Sequence, residues 1–225
     1  MQFQNTKALF FDFDGTLVDS VPDLALAVNN MLDVLGKAAF SVNDIRSWVG
    51  NGPELLVARA LSGSATPDKR ITPTELNHAL TVFTQCYEKN MCVNTMLYPC
   101  VKETIRTLHG QYAMAIITNK PHRFVEPILS GVGLSGLFDL IIGSDTLPER
   151  KPQPEPLLFA ARHFDLSVHQ CVMVGDSKND ILAAKSAGMP SVGVSYGYNY
   201  GVPISQYEPD YVVNDFSALL TLLSE

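Results

Sequence analysis

Asp12 and Asp14 stand one residue apart at the end of the apolar run in "ALFFDFDGTLVDS", residues 8–20, and Gly15 follows at once. Side chains at i and i+2 of a strand point to the same side, so the two carboxylates converge near the strand's end. Anions that close repel, and either a bound cation or a shared proton has to offset the repulsion. Other apolar runs end in comparable chemistry. "MAIIT" ends at Thr118 and Asn119, "CVMVG" runs into Asp176 and Ser177, and Lys151 follows "DLIIGSDTLPER". Four separate segments thus supply three acids, a hydroxyl and an ammonium, a set that suits a divalent cation and a phosphate together.

The elements that must bring them together are legible as a rhythm. Residues 7–13, 114–118, 139–143, 171–175, 190–195 and 210–213 read as strands, and their near-continuous hydrophobicity suits strands covered on both faces. Helical patterns at 121–131, 154–165 and 178–187 lie between the later ones. This is the alternation of an α/β fold with a doubly wound parallel sheet, a Rossmann-like core, and such open sheets place ligands beyond the carboxyl ends of their strands. From about Ser20 to Thr95 only helical segments occur: "VPDLALAVNNMLDVLG", "VNDIRSWVG", "PELLVARAL" and "TPTELNHALTVFTQCYEKN". Their apolar faces require a core of their own, so the expected organisation is a core of residues 1–19 and 95–225 interrupted by a small α-helical cap domain, 20–94.

Composition narrows the partners. Of the 225 residues 46% are hydrophobic, enough for a full core, while only 17% are charged and the net charge is -7. That balance argues against an electrostatic grip on nucleic acid or anionic membrane. No apolar stretch reaches membrane-spanning length, and the amino terminus lacks the basic start of a signal peptide. A cytoplasmic monomer or homodimer without nucleic-acid or membrane partners is expected. The four cysteines show no C-x-x-C spacing and read as reduced, mostly packed thiols. Two motif matches carry no chemistry. "GVGLSG" (131–136) follows a helix and precedes a strand, the reverse of a dinucleotide fingerprint, and "GVSYG" (193–197) has neither the following helix nor the later histidine of a serine hydrolase.

"DFDGT", "TNK", "KPQPEP" and "GDSKND" resemble, in order and spacing, the four motifs of the haloacid dehalogenase-like phosphohydrolases, and the helical insert after the first resembles that family's α-helical cap. Within the family, "TNKP", "GDSKNDILAAKSAG" and "PSVGVSYGYNYG" are most similar to the bacterial phosphoglycolate phosphatases. The resemblance implies Asp12 as nucleophile and Asp14 as general acid and base. It implies Mg2+ held by Asp12, the Asp14 backbone carbonyl and Asp176. Thr118, the backbone at Asn119 and Lys151 are expected to hold the phosphoryl oxygens. Asp180 is expected to fix Lys151 or a metal-bound water, and Gly15 and Thr16 to let the loop approach the phosphate. The same resemblance puts substrate choice at "VGNGPELLVARAL", where the amides of Asn51 and Gly52 and the side chain of Arg59 are candidates for a substrate carboxylate. The expected partner is therefore a small phosphorylated carboxylate, 2-phosphoglycolate.

Each feature has a plainer structural reading. Ser177 and Asp180 form a capping-box pattern for a helix at 178, Thr118 or Asn119 suits a helix cap before Pro121, and Lys151 alone is a surface lysine. Their joint placement at strand ends favours a site. The competing functions are a phosphosugar phosphatase, a β-phosphoglucomutase-like phosphotransferase, a dehalogenase and a receiver-like signalling module. Asp14 and the cap argue for turnover rather than a lasting phosphoryl group.

Overall fold

In chain order, β1 (Ala8–Phe11) and β2 (Val18–Asp19) precede four helices, α1 (Val21–Val34), α2 (Val42–Arg46), α3 (Pro53–Ser62) and α4 (Pro73–Asn90). After β3 (Met96–Leu97) the chain alternates: α5 (Val101–Leu108), β4 (Ala113–Ile117), α6 (Val125–Val132), β5 (Leu140–Ile142), α7 (Glu155–His163), β6 (Cys171–Gly175), α8 (Lys178–Ala187) and β7 (Ser191–Val194). β8 (Tyr211–Val213) and α9 (Ala218–Ser224) complete it. The computed structural model describes residues 3–224; Met1, Gln2 and Glu225, the outermost residues of the expected core segments, lie outside it.

Six strands form one parallel sheet in the order β5-β4-β1-β6-β7-β8, the expected doubly wound arrangement. The chain builds outward from β1 to β4 and β5, then crosses to β6 on the other side of β1. This reversal opens the crevice in which such sheets bind ligands. Because side chains alternate, Leu9 and Phe11 enter one apolar layer with α5, α6 and α9, while Ala8 and Phe10 enter the other with α7 and α8. Phe11 lies opposite Ile116 on β4 and Val174 on β6, so the three carboxyl ends are level and Asp12, Thr118 and Asp176 all emerge within two residues of that line.

β2 and β3 pair antiparallel, Val18 with Leu97 and Asp19 with Met96, and clamp the two crossings between the sheet and the helices α1–α4. A two-residue strand carries no periodicity, so this ribbon leaves no pattern in the sequence. Asp23 reinforces it. Its buried carboxylate accepts from the amides of Val93, Asn94 and Thr95 and from the Thr95 hydroxyl at 2.8–2.9 Å.

The apolar interior of the helical segment runs on into one layer of the sheet: Leu24, Met31, Trp48, Phe83 and Tyr87 belong to the same continuous apolar cluster as Leu9, Phe11 and Val174. The expected helix over "VNDIRSWVG" stops at Arg46. Gly50 adopts φ +119°, in the left-handed half of the map, and the turn drives Trp48 and Val49 into the apolar cluster. The helix expected from residue 121 begins late as well. Pro121 is extended (ψ 135°), a short 3-10 turn fills His122–Phe124, and α6 starts at Val125. "GVGLSG" is the helix stop it was read as, with Gly133 left-handed at the end of α6.

Candidate active site

Lys151 is the hub of the strand-end polar cluster. Its ammonium, 3% exposed as a residue, lies 3.0 Å from Asp12 Oδ1 and 2.6 Å from Asp180 Oδ1. Asp180 has a second task at its other oxygen, which accepts from the amide (2.9 Å) and hydroxyl (2.8 Å) of Ser177. The capping box and the site role therefore coexist, one on each carboxylate oxygen. Asp12, Asp176 and Asp180 each offer an oxygen within 4.8 Å of the others.

Asp176 is positioned by groups from both ends of the chain. It accepts from the Thr16 hydroxyl (3.1 Å) and the Tyr198 amide (2.7 Å). Gly15 has φ +92°, and a Cβ there would lie 2.5 Å from Asp176 Oδ2; one on Gly197 would lie 2.1 Å from Asp176 Cβ. Only glycine allows the backbone to close around this carboxylate at both places.

Asp14 points elsewhere. Its carboxylate accepts from Lys120 Nζ at 3.0 and 3.2 Å and from the Ser20 hydroxyl. Asp12, Asp14, Thr118, Asn119 and Lys120 form the floor of a cleft enclosing about 520 Å³ of empty space, part of it open to solvent. Its other wall is largely apolar and comes from the helical segment: Leu24, Val49, Leu56, Phe83 and Tyr87, together with Gly50 and Gly52.

The remaining expected residues divide. Gly52 and Asn119 line the cleft. Gly15 and Thr16 instead hold Asp176. Asn51 and Lys151 line an adjoining hollow with Arg150 and Asn119. Arg59 is turned away: its guanidinium donates to the carbonyls of Trp48 and Ala65 and to Asn51 Oδ1, and it fixes the 48–51 turn from behind. Asn119 is a tie as well as a floor, donating from Nδ2 to the carbonyls of Gly50 (3.2 Å) and Lys151 (3.0 Å).

Electrostatically the cluster lacks positive charge. Asp12, Asp176 and Asp180 face one ammonium, Lys151, so three negative charges less one positive leave two uncompensated. Burial first, then the Asp180 charge, push the Asp12 carboxyl up to about 7 against the opposing pull of Lys151. Burial and the Asp12 and Asp180 charges likewise hold Asp176 well above the usual carboxylate range. Burial works against the charged Lys151 and Lys120, but the carboxylates beside each outweigh it and raise both. A deficit of two charges among oxygen donors is what a divalent cation fits.

Residues 6–188 match the family described as haloacid dehalogenase-like hydrolase. The chain belongs to that family. A phosphoglycolate phosphatase of Colwellia psychrerythraea is 50% identical over 224 residues, 99% of either chain, and one of Vibrio cholerae is 44% identical over 98% of either chain. The crystal structure of a predicted phosphoglycolate phosphatase from Haemophilus somnus superposes with a TM-score of 0.91 at 41% identity, covering 97% of this chain and 98% of that one. As a family member the chain carries its acidic cluster where the crossover at β1 opens the sheet.

Three residues at this family site had drawn no attention in the sequence. Lys120 stood in the quoted "TNK" without a role, and only its ion pair with Asp14 gives it one. Asn179, within "GDSKND", donates to the Gly50 carbonyl at 3.0 Å and to the Tyr200 hydroxyl at 3.1 Å. Tyr87 stood inside "TPTELNHALTVFTQCYEKN" without a role, yet its buried hydroxyl donates to no acceptor.

Proposed function

We propose that the protein is a magnesium-dependent phosphoglycolate phosphatase that works through an aspartyl-phosphate. The observation that carries this reading is the split of the two motif carboxylates: Asp12 joins Lys151 in the acidic cluster, while Asp14, lining the same cleft, is held by Lys120 and Ser20 outside that cluster. A nucleophile and a proton donor must both reach the bond that breaks, and both carboxylates line the one cleft. The choice of substrate rests on the relatives, whose name states it, and on a cleft with one floor of polar groups and a close apolar wall.

The residues then divide the work. Asp12 attacks phosphorus while the bond to the glycolate oxygen breaks, and Asp14 delivers a proton to that departing oxygen. In the second half, Asp14 takes a proton from water as the water oxygen attacks the phosphoaspartate, which returns Asp12 and releases phosphate. Lys151, fixed by Asp180, and Thr118 with the Asn119 amide hold the phosphoryl oxygens as charge builds. Asp12, Asp176 and the Asp14 carbonyl would hold Mg2+, which offsets the repulsion between carboxylate and phosphate. Asp180, committed to Lys151 and Ser177, acts on that set from outside it.

Residues 20–94 serve, in this reading, as a cap that closes over the strand ends and excludes bulk water. Among the described residues no helix is long and apolar enough to cross a membrane and all four cysteines are free, which fits a reducing cytoplasmic setting. The test is phosphate release from 2-phosphoglycolate, β-glucose 1-phosphate and an aryl phosphate, with and without Mg2+. Metal-dependent preference for phosphoglycolate, lost in Asp12→Asn, is the expected result. Turnover of the aryl ester alone overturns the substrate, and activity surviving in Asp12→Asn overturns the mechanism.

A further inference from the structure

Lys120 is the cationic side chain among those that line the cleft, and it is 6% exposed. Its ammonium contacts both oxygens of Asp14 and lies 4.8 Å from the centre of the Tyr87 ring. Beside it the Tyr87 hydroxyl, in a residue 1% exposed, lines the same cleft and donates to no acceptor, since the group it faces, the Lys120 ammonium, is itself only a donor. A buried, unsatisfied donor is costly to keep, and a second observation sharpens the point: Arg59, the other cation once expected to meet a substrate anion, is occupied by carbonyls behind the 48–51 turn.

We infer that Lys120 and Tyr87 form the subsite for the substrate's carboxylate. The inference rests on the function proposed above and names the part of the cleft that selects within it. In 2-phosphoglycolate the carboxylate carbon is two bonds from the ester oxygen that Asp14 serves. A cation 3.0 Å from Asp14 is therefore within reach of that carboxylate when Asp14 reaches the ester oxygen. An ammonium has three donors, so Lys120 can keep a bond to Asp14 and still give one to the substrate. Tyr87 supplies a neutral second donor from α4. Selection follows from what surrounds the pair: Leu24, Leu56, Phe83 and Phe124 offer nothing polar to a larger or hydroxylated leaving group.

The test compares 2-phosphoglycolate with ethyl phosphate, which has the same two-carbon skeleton without the carboxylate, in wild type, Lys120→Gln and Tyr87→Phe. The readout is the ratio of kcat/KM for the two esters, which a general loss of folding or of Asp14 function leaves unmoved. The ratio is expected to fall about 10- to 100-fold in Lys120→Gln and about 10-fold in Tyr87→Phe, the scale of a hydrogen bond to a charged group. The loss for Tyr87→Phe should appear in KM for phosphoglycolate. Equal losses on both esters in both variants overturn the subsite while leaving the phosphatase reading intact. A wild-type enzyme that shows no preference for 2-phosphoglycolate overturns the proposed substrate first, before any variant is compared.

Discussion

The side-chain amide of Asn179 donates to the carbonyl of Gly50 at 3.0 Å, across 129 positions of sequence. Asn119 donates to the same oxygen at 3.2 Å. Two asparagines from the ends of two strands thus converge on one turn of the helical segment and draw it onto the site. Gly50 is where this is feasible, since a Cβ there would come 2.6 Å from the Tyr200 hydroxyl.

This fastening is expected to govern how often the cleft opens. Asn179→Ala removes the bonds to Gly50 and to Tyr200. With each bond worth about 1 kcal/mol, amide hydrogen exchange over residues 47–52 should accelerate by roughly 10-fold, while β1 and β6 keep their protection. Unchanged exchange in that turn would show that other contacts hold it.

Asp12→Asn is expected to act in opposite directions on activity and stability. On the proposed mechanism, in which Asp12 is the nucleophile, the change should cost more than about 10³-fold in turnover and abolish trapping of a phosphorylated protein. Yet the substitution also removes a charge from a buried cluster with too little positive charge to balance it, so the metal-free variant should melt at a higher temperature than the metal-free wild type. A lower melting temperature would mean that the bond to Lys151 outweighs the repulsion.

The same cluster sets the response to pH. Asp12 and Asp176 have folded-state values raised above those of an unfolded chain, so between about 4 and 7 the folded protein holds more protons. Stability of the metal-free protein is then fully present below the unfolded values and is lost as pH rises through about 7. On the proposed function, Mg2+ would replace those protons. Its addition should therefore raise the melting temperature by several degrees more at pH 8 than at pH 5.5, and an equal shift at both would separate metal binding from these carboxylates.

How much of this was readable from the chain follows from the kind of signal each residue gives. Lys151 and Asp180, each with an ordinary local explanation, were legible through the motifs "KPQPEP" and "GDSKND", whereas Asp12 and Asp176 were legible because an acid at the end of an apolar strand is out of place unless it is used. The parallel sheet was legible for the same reason, as strands buried on both faces spell continuous apolar runs. Lys120, Asn179 and Tyr87 give no such signal. A lysine after a strand, an asparagine in a first helical turn and an aromatic on an apolar helix face each have an ordinary local explanation, and their roles exist only across 21 to 129 positions of chain. Arg59 shows the converse: a cation next to a glycine turn looked like an anion partner, but the turn's own carbonyls had prior claim on it.

Asp23 gives the sharpest stability prediction, because its carboxylate joins α1 to the strand by which the chain returns to the sheet. Burial alone would raise its pKa, but bonds from Thr95 and Asn94 outweigh burial and hold it below the usual range. Its stabilising contribution is therefore present above about pH 4, the unfolded value, and fades as pH falls through the depressed folded one. Asp23→Asn places an amide NH2 against donors that point inward from residues 93–95, leaving at least one of them unpaired. The expected cost is about 2–4 kcal/mol in urea unfolding, with the larger loss at neutral pH and a smaller one as pH falls through the depressed folded value. A cost independent of pH would assign the effect to packing rather than to the charge that these amides surround.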